Sequence, residues 1–298
     1  MRHLRNLLIL AVLVGAGLYW WTLPAPLPAD AMAGLTGDAA RGERVFRATG
    51  CASCHMAEGA TGEAELVLSG GQRFASDFGT FLAPNISQDA EAGIGGWSAL
   101  DLANALTRGV GRQGEHLYPA LPYASYARMQ LQDVADLYAF LQTLPADPTP
   151  SQPHELSFPF NMRVALGGWK MLFLGKDWAV AGNLPPTEDR GRYIAEAMAH
   201  CGECHTPRTA LGGMDMSRWL AGAPDASDPT GKARVPNITP ARLTWSQSEI
   251  AYYLTTGFTP DFDSVGGHMA HVVENFARLP EEDVTAVAAY LKRVAPVE

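Results

Sequence analysis

The apolar and polar residues of this chain fall into two regimes. From Leu7 to Leu23 runs an uncharged stretch of 17 residues whose only polar member is Thr22, preceded by Arg2, His3 and Arg5 and closed by Tyr19-Trp20-Trp21. It predicts a helix at the short limit of a membrane span, with the basic residues holding the N-terminus in the cytoplasm and the aromatic cluster at the far interface. A cleaved signal peptide is the competing reading, with Ala29-Asp30-Ala31 as a cleavage site. Bulky tryptophans at the end of the run, and Pro24, Pro26 and Pro28 ahead of those alanines, favour a retained anchor.

Beyond that run the apolar positions follow a helical period, and the pattern occurs twice. Asp38 caps a stretch in which Arg41, Gly42, Val45 and Phe46 lead to Cys51; Thr187 and Asp189 begin its counterpart, where Gly191, Tyr193 and Ile194 lead to Cys201. Pro84-Asn85-Ile86 returns as Pro236-Asn237-Ile238, and Trp97-Ser98 as Trp245-Ser246. Leu102, Ala105, Leu106 and Gly109 return 148 residues later as Ile250, Tyr253, Leu254 and Gly257, an amphipathic helix ending at a glycine cap. Val134, Leu137, Tyr138 and Leu141 match Val284, Val287, Ala288 and Leu291, a terminal helix whose stripe reads as core packing. Two long copies make a tandem duplication, not a solenoid. Each copy reads as all-helical, with glycine- and proline-rich loops and little strand signal. The chain divides into an anchor at 1–24, a proline-rich linker at 25–37, a first domain at 38–147, a bridge at 148–185 and a second domain at 186–298.

Composition narrows the class. With 18% charged and 47% hydrophobic residues the 298-residue chain is globular and long enough for two domains. The net charge is −9, and setting aside Arg2 and Arg5 leaves −11 for the remainder, which argues against a nucleic-acid partner.

All four cysteines lie in two copies of one motif, Cys51-Ala52-Ser53-Cys54-His55 and Cys201-Gly202-Glu203-Cys204-His205. Two thiols three apart can add across the two vinyl groups of a haem, and a histidine directly after the second can reach the iron from the same side. The motifs therefore predict two covalently bound haem c groups, with His55 and His205 as iron ligands. A zinc site would need both pairs in one cluster although 150 residues separate them. Two redox disulfides would not need the trailing histidines. No nucleophile with a placed base and no dinucleotide-binding fingerprint is visible.

These residues resemble class I cytochromes c, and more closely the membrane-bound cytochrome c subunits of periplasmic alcohol, gluconate and aldehyde dehydrogenases. The resemblance rests on His200 to Arg208, both Pro-Asn-Ile segments, Gly93 to Ser98, Leu117 to Tyr123, and the apolar bridge from Phe158 to Trp178. It implies two tandem class I cytochrome c domains behind a transmembrane helix. Those subunits typically hold three haem domains, and this chain has two. In the second domain the resemblance makes Met269, within Gly266-Gly267-His268-Met269-Ala270, the sixth iron ligand, a soft sulfur donor that raises the reduction potential. Met214 and Met216 are weaker candidates. In the first domain the corresponding position is Leu121, which has no donor atom. Met129, an open iron and His116 remain as alternatives there. Arg208 is a candidate partner for a haem propionate, since guanidinium pairs well with carboxylate. The prolines Pro84 and Pro236 are candidates for orienting the proximal histidines through their carbonyls.

The resulting expectation is a dihaem electron carrier held on the inner membrane with its haem domains in the periplasm. It would take electrons from a dehydrogenase catalytic subunit and pass them to quinone, a soluble cytochrome or a terminal oxidase. Two rival readings are a dihaem enzyme, of the thiosulfate dehydrogenase or peroxidase type, with chemistry at an atypically ligated first haem, and a gas sensor.

Overall fold

Asp38 accepts a hydrogen bond from the Arg41 backbone N–H at 2.9 Å, satisfying a donor that the first turn of a helix leaves free. In the computed structural model, which describes residues 2–226, 228 and 230–298, this cap opens the first folded unit. Ahead of it α1 (Arg2–Trp21) has no buried residue. Among the described residues it is the one helix long and apolar enough to cross a membrane.

The first unit comprises α2 (Ala39–Thr49), α3 (Cys51–His55), a hairpin of β1 (Arg73–Ser76) and β2 (Gly79–Leu82), α4 (Ala99–Arg108), the short α5 (Tyr123–Tyr126) and α6 (Leu131–Leu141). A two-residue strand β3 (Glu155–Leu156) then adds to β2, pairing Gly79 with Leu156. The bridge carries α7 (Ala165–Phe173), and the second unit follows as α8 (Pro186–Arg192), a π-helical turn Tyr193–Met198, α9 (Cys201–His205), the strand pair β4 (Ala223–Pro224) and β5 (Arg234–Val235), α10 (Gln247–Thr256), α11 (Met269–Phe276) and α12 (Glu281–Arg293).

The helical expectation holds, with caps where the sequence pattern called for ends. α4 and α10 open on reciprocal Ser98/Asp101 and Ser246/Glu249 capping boxes. Both close on left-handed glycines, Gly109 at φ 58° and Gly257 at φ 76°. Two details depart from the pattern. The short strands carry too few alternating residues to register as strands in sequence. And α8 starts at Pro186 with no side-chain cap, so Thr187 and Asp189 lie within its first turn; proline suits that position because its missing N–H would be unpaired anyway.

In each unit the first helix crosses the last at a glycine. A Cβ built on Gly42 would stand 1.9 Å from the Asp136 carbonyl oxygen of α6, and one on Gly191 would stand 1.9 Å from that of Ala286 in α12. Only glycine permits so close a backbone approach. Around these crossings Val134, Leu137, Val284 and Val287 are at most 1% exposed, as core positions should be. The crossings are clamped from outside by Arg41, which donates to both carboxylate oxygens of Asp136, and by Arg190, which does the same to Asp283.

The segment after α1 is tied down on the first unit. Leu27 N–H donates to Asn104 Oδ1 at 2.7 Å, and Arg108 Nε to the Ala25 carbonyl at 3.0 Å. Both domains also touch. Tyr193 of the second unit donates its hydroxyl to Asp133 of the first and accepts from the Gln130 backbone N–H.

Candidate haem-attachment sites

Each Cys-x-x-Cys-His motif forms one short helix, α3 or α9, directly after the first helix of its unit. Helical winding brings the two thiols of a motif to the same side about one turn apart, and it turns the histidine after the second inward. None of the four cysteines forms a disulfide. Among the described residues no cluster of three or more His, Cys, Asp or Glu side chains is suited to a metal ion.

The histidines are prepared as ligands in the same way. His55 Nδ1 lies 2.8 Å from the Pro84 carbonyl oxygen, and His205 Nδ1 lies 2.8 Å from that of Pro236. A carbonyl can only accept, so Nδ1 carries the proton and Nε2 keeps its lone pair for iron. Burial holds both imidazoles below the usual histidine range, favouring the neutral form that ligation requires. The two Pro-Asn-Ile segments noted in the sequence thus meet the two motifs. Each loop is locked in place: Gly70 N–H donates to the His55 carbonyl and Gly222 N–H to that of His205, each at 2.7 Å. The residues present therefore fit two thioether-linked haems with histidine ligation.

Burial pushes the Cys54 thiol up to about 11, with Cys51 and then Cys204 of the other motif contributing. That influence of Cys204 reflects an arrangement not expected from sequence, in which the two attachment segments are neighbours across the domain interface. His200 Nε2 donates to the Thr49 carbonyl at 3.3 Å, and its ring meets Tyr126 edge-on. Asn275 Nδ2 donates to Ser53 Oγ at 3.2 Å, and Ser125 Oγ donates to Glu203 Oε1 at 3.0 Å. The Thr49 hydroxyl in turn lies 3.2 Å from Cys51 Sγ.

The remaining predicted residues are placed as follows. Met269 is the first residue of α11, half-buried against the core. Met129 is buried in the turn between α5 and α6, where its N–H donates to the Tyr126 carbonyl. Leu279 occupies the same turn of the second unit, its N–H donating to the Phe276 carbonyl, and is buried as well. A leucine fills that slot as readily as a methionine. Leu121 is half-buried, and His116 donates from Nε2 to the Thr22 carbonyl at 2.9 Å. Arg208 is held by Glu203, through Oε2 at 2.6 Å and the backbone carbonyl at 2.7 Å.

A buried chain that sequence reading missed lies beside the second motif. Trp219 Nε1 donates to Tyr290, and the Tyr290 hydroxyl donates to Glu196 Oε1 at 2.6 Å. Glu196 also accepts the backbone N–H groups of Ala179 and Val180. Burial pushes the pKa of its carboxyl above the ordinary range. The one available signal was an acidic residue on the apolar side of a helix leading into a haem motif.

Comparison with known proteins agrees with this geometry. The family model for cytochrome c matches residues 39–145 and again 189–295. The chain is 56% identical to a diheme cytochrome c-type protein of Cereibacter sphaeroides, over 100% of this chain and 99% of that one. It is 36% identical to the fructose dehydrogenase cytochrome subunit of Gluconobacter japonicus, covering 85% of this chain and 52% of that protein. It is 32% identical to the gluconate 2-dehydrogenase cytochrome c subunit of Pantoea cypripedii, covering 85% of this chain and 58% of that protein. The chain thus spans little more than half the length of these dehydrogenase subunits. Two family matches over two matching haem-attachment sites leave one conclusion: the chain belongs to the cytochrome c family and carries two haem c groups.

Proposed function

We propose that the chain is a dihaem electron carrier, anchored by α1 with its two haem domains in the periplasm, which takes electrons from a dehydrogenase and passes them to quinone, a soluble cytochrome or a terminal oxidase. What supports this reading above all is the juxtaposition of the two attachment segments through His200, Thr49, Ser53 and Asn275. Each haem supplies a single iron that accepts or gives one electron. The protein holds the cysteines on rigid one-turn helices, fixes the histidine tautomer through Pro84 and Pro236, and keeps the sites close together. Relatives named as cytochrome subunits of fructose, gluconate and alcohol dehydrogenases support a dehydrogenase as the donor.

In this reading Cys51 and Cys54 hold the first haem, Cys201 and Cys204 the second, and His55 and His205 bind the irons. Met269 completes the second iron. At the first iron Leu121 offers no donor and Met129, buried in the turn before α6, is the candidate ligand, so the first iron differs in its sixth position. Arg208 reaches a propionate only by sharing its fork with Glu203. Potentiometric titration of the haem-loaded protein is expected to give two distinct midpoints. Met269→Leu should abolish the sulfur-to-iron band of the second haem and lower its midpoint, and Met129→Leu should do the same at the first haem; an unchanged first haem would assign Met129 to packing. Two equal midpoints in the unmodified protein would overturn the asymmetry. The dihaem-enzyme reading draws on Leu121 standing where a ligand is expected; binding of carbon monoxide or reaction with peroxide at the first haem would favour it.

A further inference from the structure

The bridge between the domains exposes more apolar surface than its connecting role requires. Phe158 is 77% exposed, Leu172 66% and Met171 53%, and Phe160, Met162 and Val164 are also open. Apolar exposure on this scale within one 15-residue segment, 158–172, points to a surface that meets something apolar. The bridge is not loose. Trp169 Nε1 donates to the Leu211 carbonyl of the second unit at 3.0 Å, Lys170 Nζ to the Gly109 carbonyl of the first at 2.6 Å, and Arg163 Nη1 to the His116 carbonyl at 2.7 Å.

Where the bridge sits says what it meets. A Cβ on Gly167 of α7 would stand 2.1 Å from the Thr22 carbonyl oxygen, so α7 packs backbone to backbone on the residue that follows α1. His116 grips the same carbonyl. Trp20 and Trp21, exposed just before it, are suited to the interface where a spanning helix leaves the bilayer. The open Met171 and Leu172 of α7 therefore belong to the element that packs on the exit point of the anchor. Charge does not oppose this placement: residues 157–176 hold no acidic residue, and of their three basic residues Arg163 and Lys170 turn to the His116 and Gly109 carbonyls while Lys176 is exposed.

We propose that the bridge is a membrane foot, lying on the periplasmic face of the bilayer with Phe158, Met162, Met171 and Leu172 in the boundary between headgroups and acyl chains. Exposed apolar side chains of this size bind such a boundary through the area they bury in it. The foot adds to the anchor a second point of contact, which fixes the orientation of both haem domains to the membrane. The inference rests on the anchored reading of α1, and its test separates the two.

The full-length, haem-loaded protein is placed in nanodiscs of phosphatidylethanolamine and phosphatidylglycerol containing a diazirine phospholipid, irradiated, and mapped by peptide mass spectrometry. Lipid adducts are expected on α1 and on peptides covering 158–172. The double variant Phe158→Ser/Leu172→Ser, changed at exposed positions, should keep its melting temperature and its α1 adducts while bridge adducts fall about fivefold. Adducts confined to α1 would overturn the foot and leave the anchor standing. Bridge adducts without α1 adducts would support the foot and remove the anchor reading. A dimer of the chain seen by mass photometry of the nanodiscs, with the bridge free of lipid adducts, would overturn the foot.

Discussion

Gly50 and His200 occupy equivalent places immediately before the two haem motifs, and both adopt left-handed backbone, at φ 63° and φ 42°. For glycine that conformation is free of steric cost, whereas for histidine it costs on the order of 1 kcal/mol or more. The cost is tolerated because His200 alone of the two has a side chain that reaches the other domain, at the Thr49 carbonyl and the Tyr126 ring. His200→Gly should therefore leave the melting temperature nearly unchanged, since backbone relief of about 1 kcal/mol offsets a hydrogen bond of similar worth. It should nonetheless speed hydrogen exchange of the backbone amides around Thr49, and unaltered exchange there would show that the contact does not hold the interface. The sequence displays the mismatch between the two copies, but not what the histidine touches.

At the scale of elements, the two copies differ by one residue between their crossing glycine and their first cysteine, nine positions from Gly42 to Cys51 and ten from Gly191 to Cys201. The extra residue is accommodated without a break by the π-helical turn Tyr193–Met198, where Ala199 N–H reaches back five residues to the Ile194 carbonyl at 2.7 Å. Both crossings and both motifs thereby keep their geometry. The crossings themselves leave no room for a side chain. Gly42→Ala is expected to destabilise the protein by at least about 1–3 kcal/mol in thermal or denaturant unfolding, because the new methyl group would meet backbone, which cannot rotate aside. A loss below about 0.5 kcal/mol would mean that α2 and α6 can separate freely.

In the whole molecule, the duplicated units are not independent beads. Tyr193 with Asp133 and Gln130, Ser125 with Glu203, and Asn275 with Ser53 all join one domain to the other. Several of these contacts are part-buried, where a lost partner leaves a polar group without water. The haem-loaded protein should consequently unfold in a single calorimetric transition. Tyr193→Phe, which strips Asp133 and the Gln130 amide of a shared partner, should lower that transition or split it in two. Two resolved transitions in the unmodified protein would refute the coupling. The same interface brings the attachment segments together, so the contacts that stabilise the pair are also those that set the distance an electron must cross.

The chain's chemistry was legible in its linear order. The two Cys-x-x-Cys-His motifs, the duplication, the glycine caps at Gly109 and Gly257 and the core stripe at Val134 and Leu137 are local features, governed by helix period and by the bonds that adjacent residues can form. What only the tertiary structure decided are relations between residues far apart in sequence. Arg208 pairs with Glu203 by local reach, but Glu203 meets Ser125, and His200 meets Thr49, because the two units pack against each other. The bridge likewise reads in sequence as an apolar connector. Its position at the exit of α1 follows from the contact of Gly167 with Thr22, 145 residues away, which no periodicity encodes.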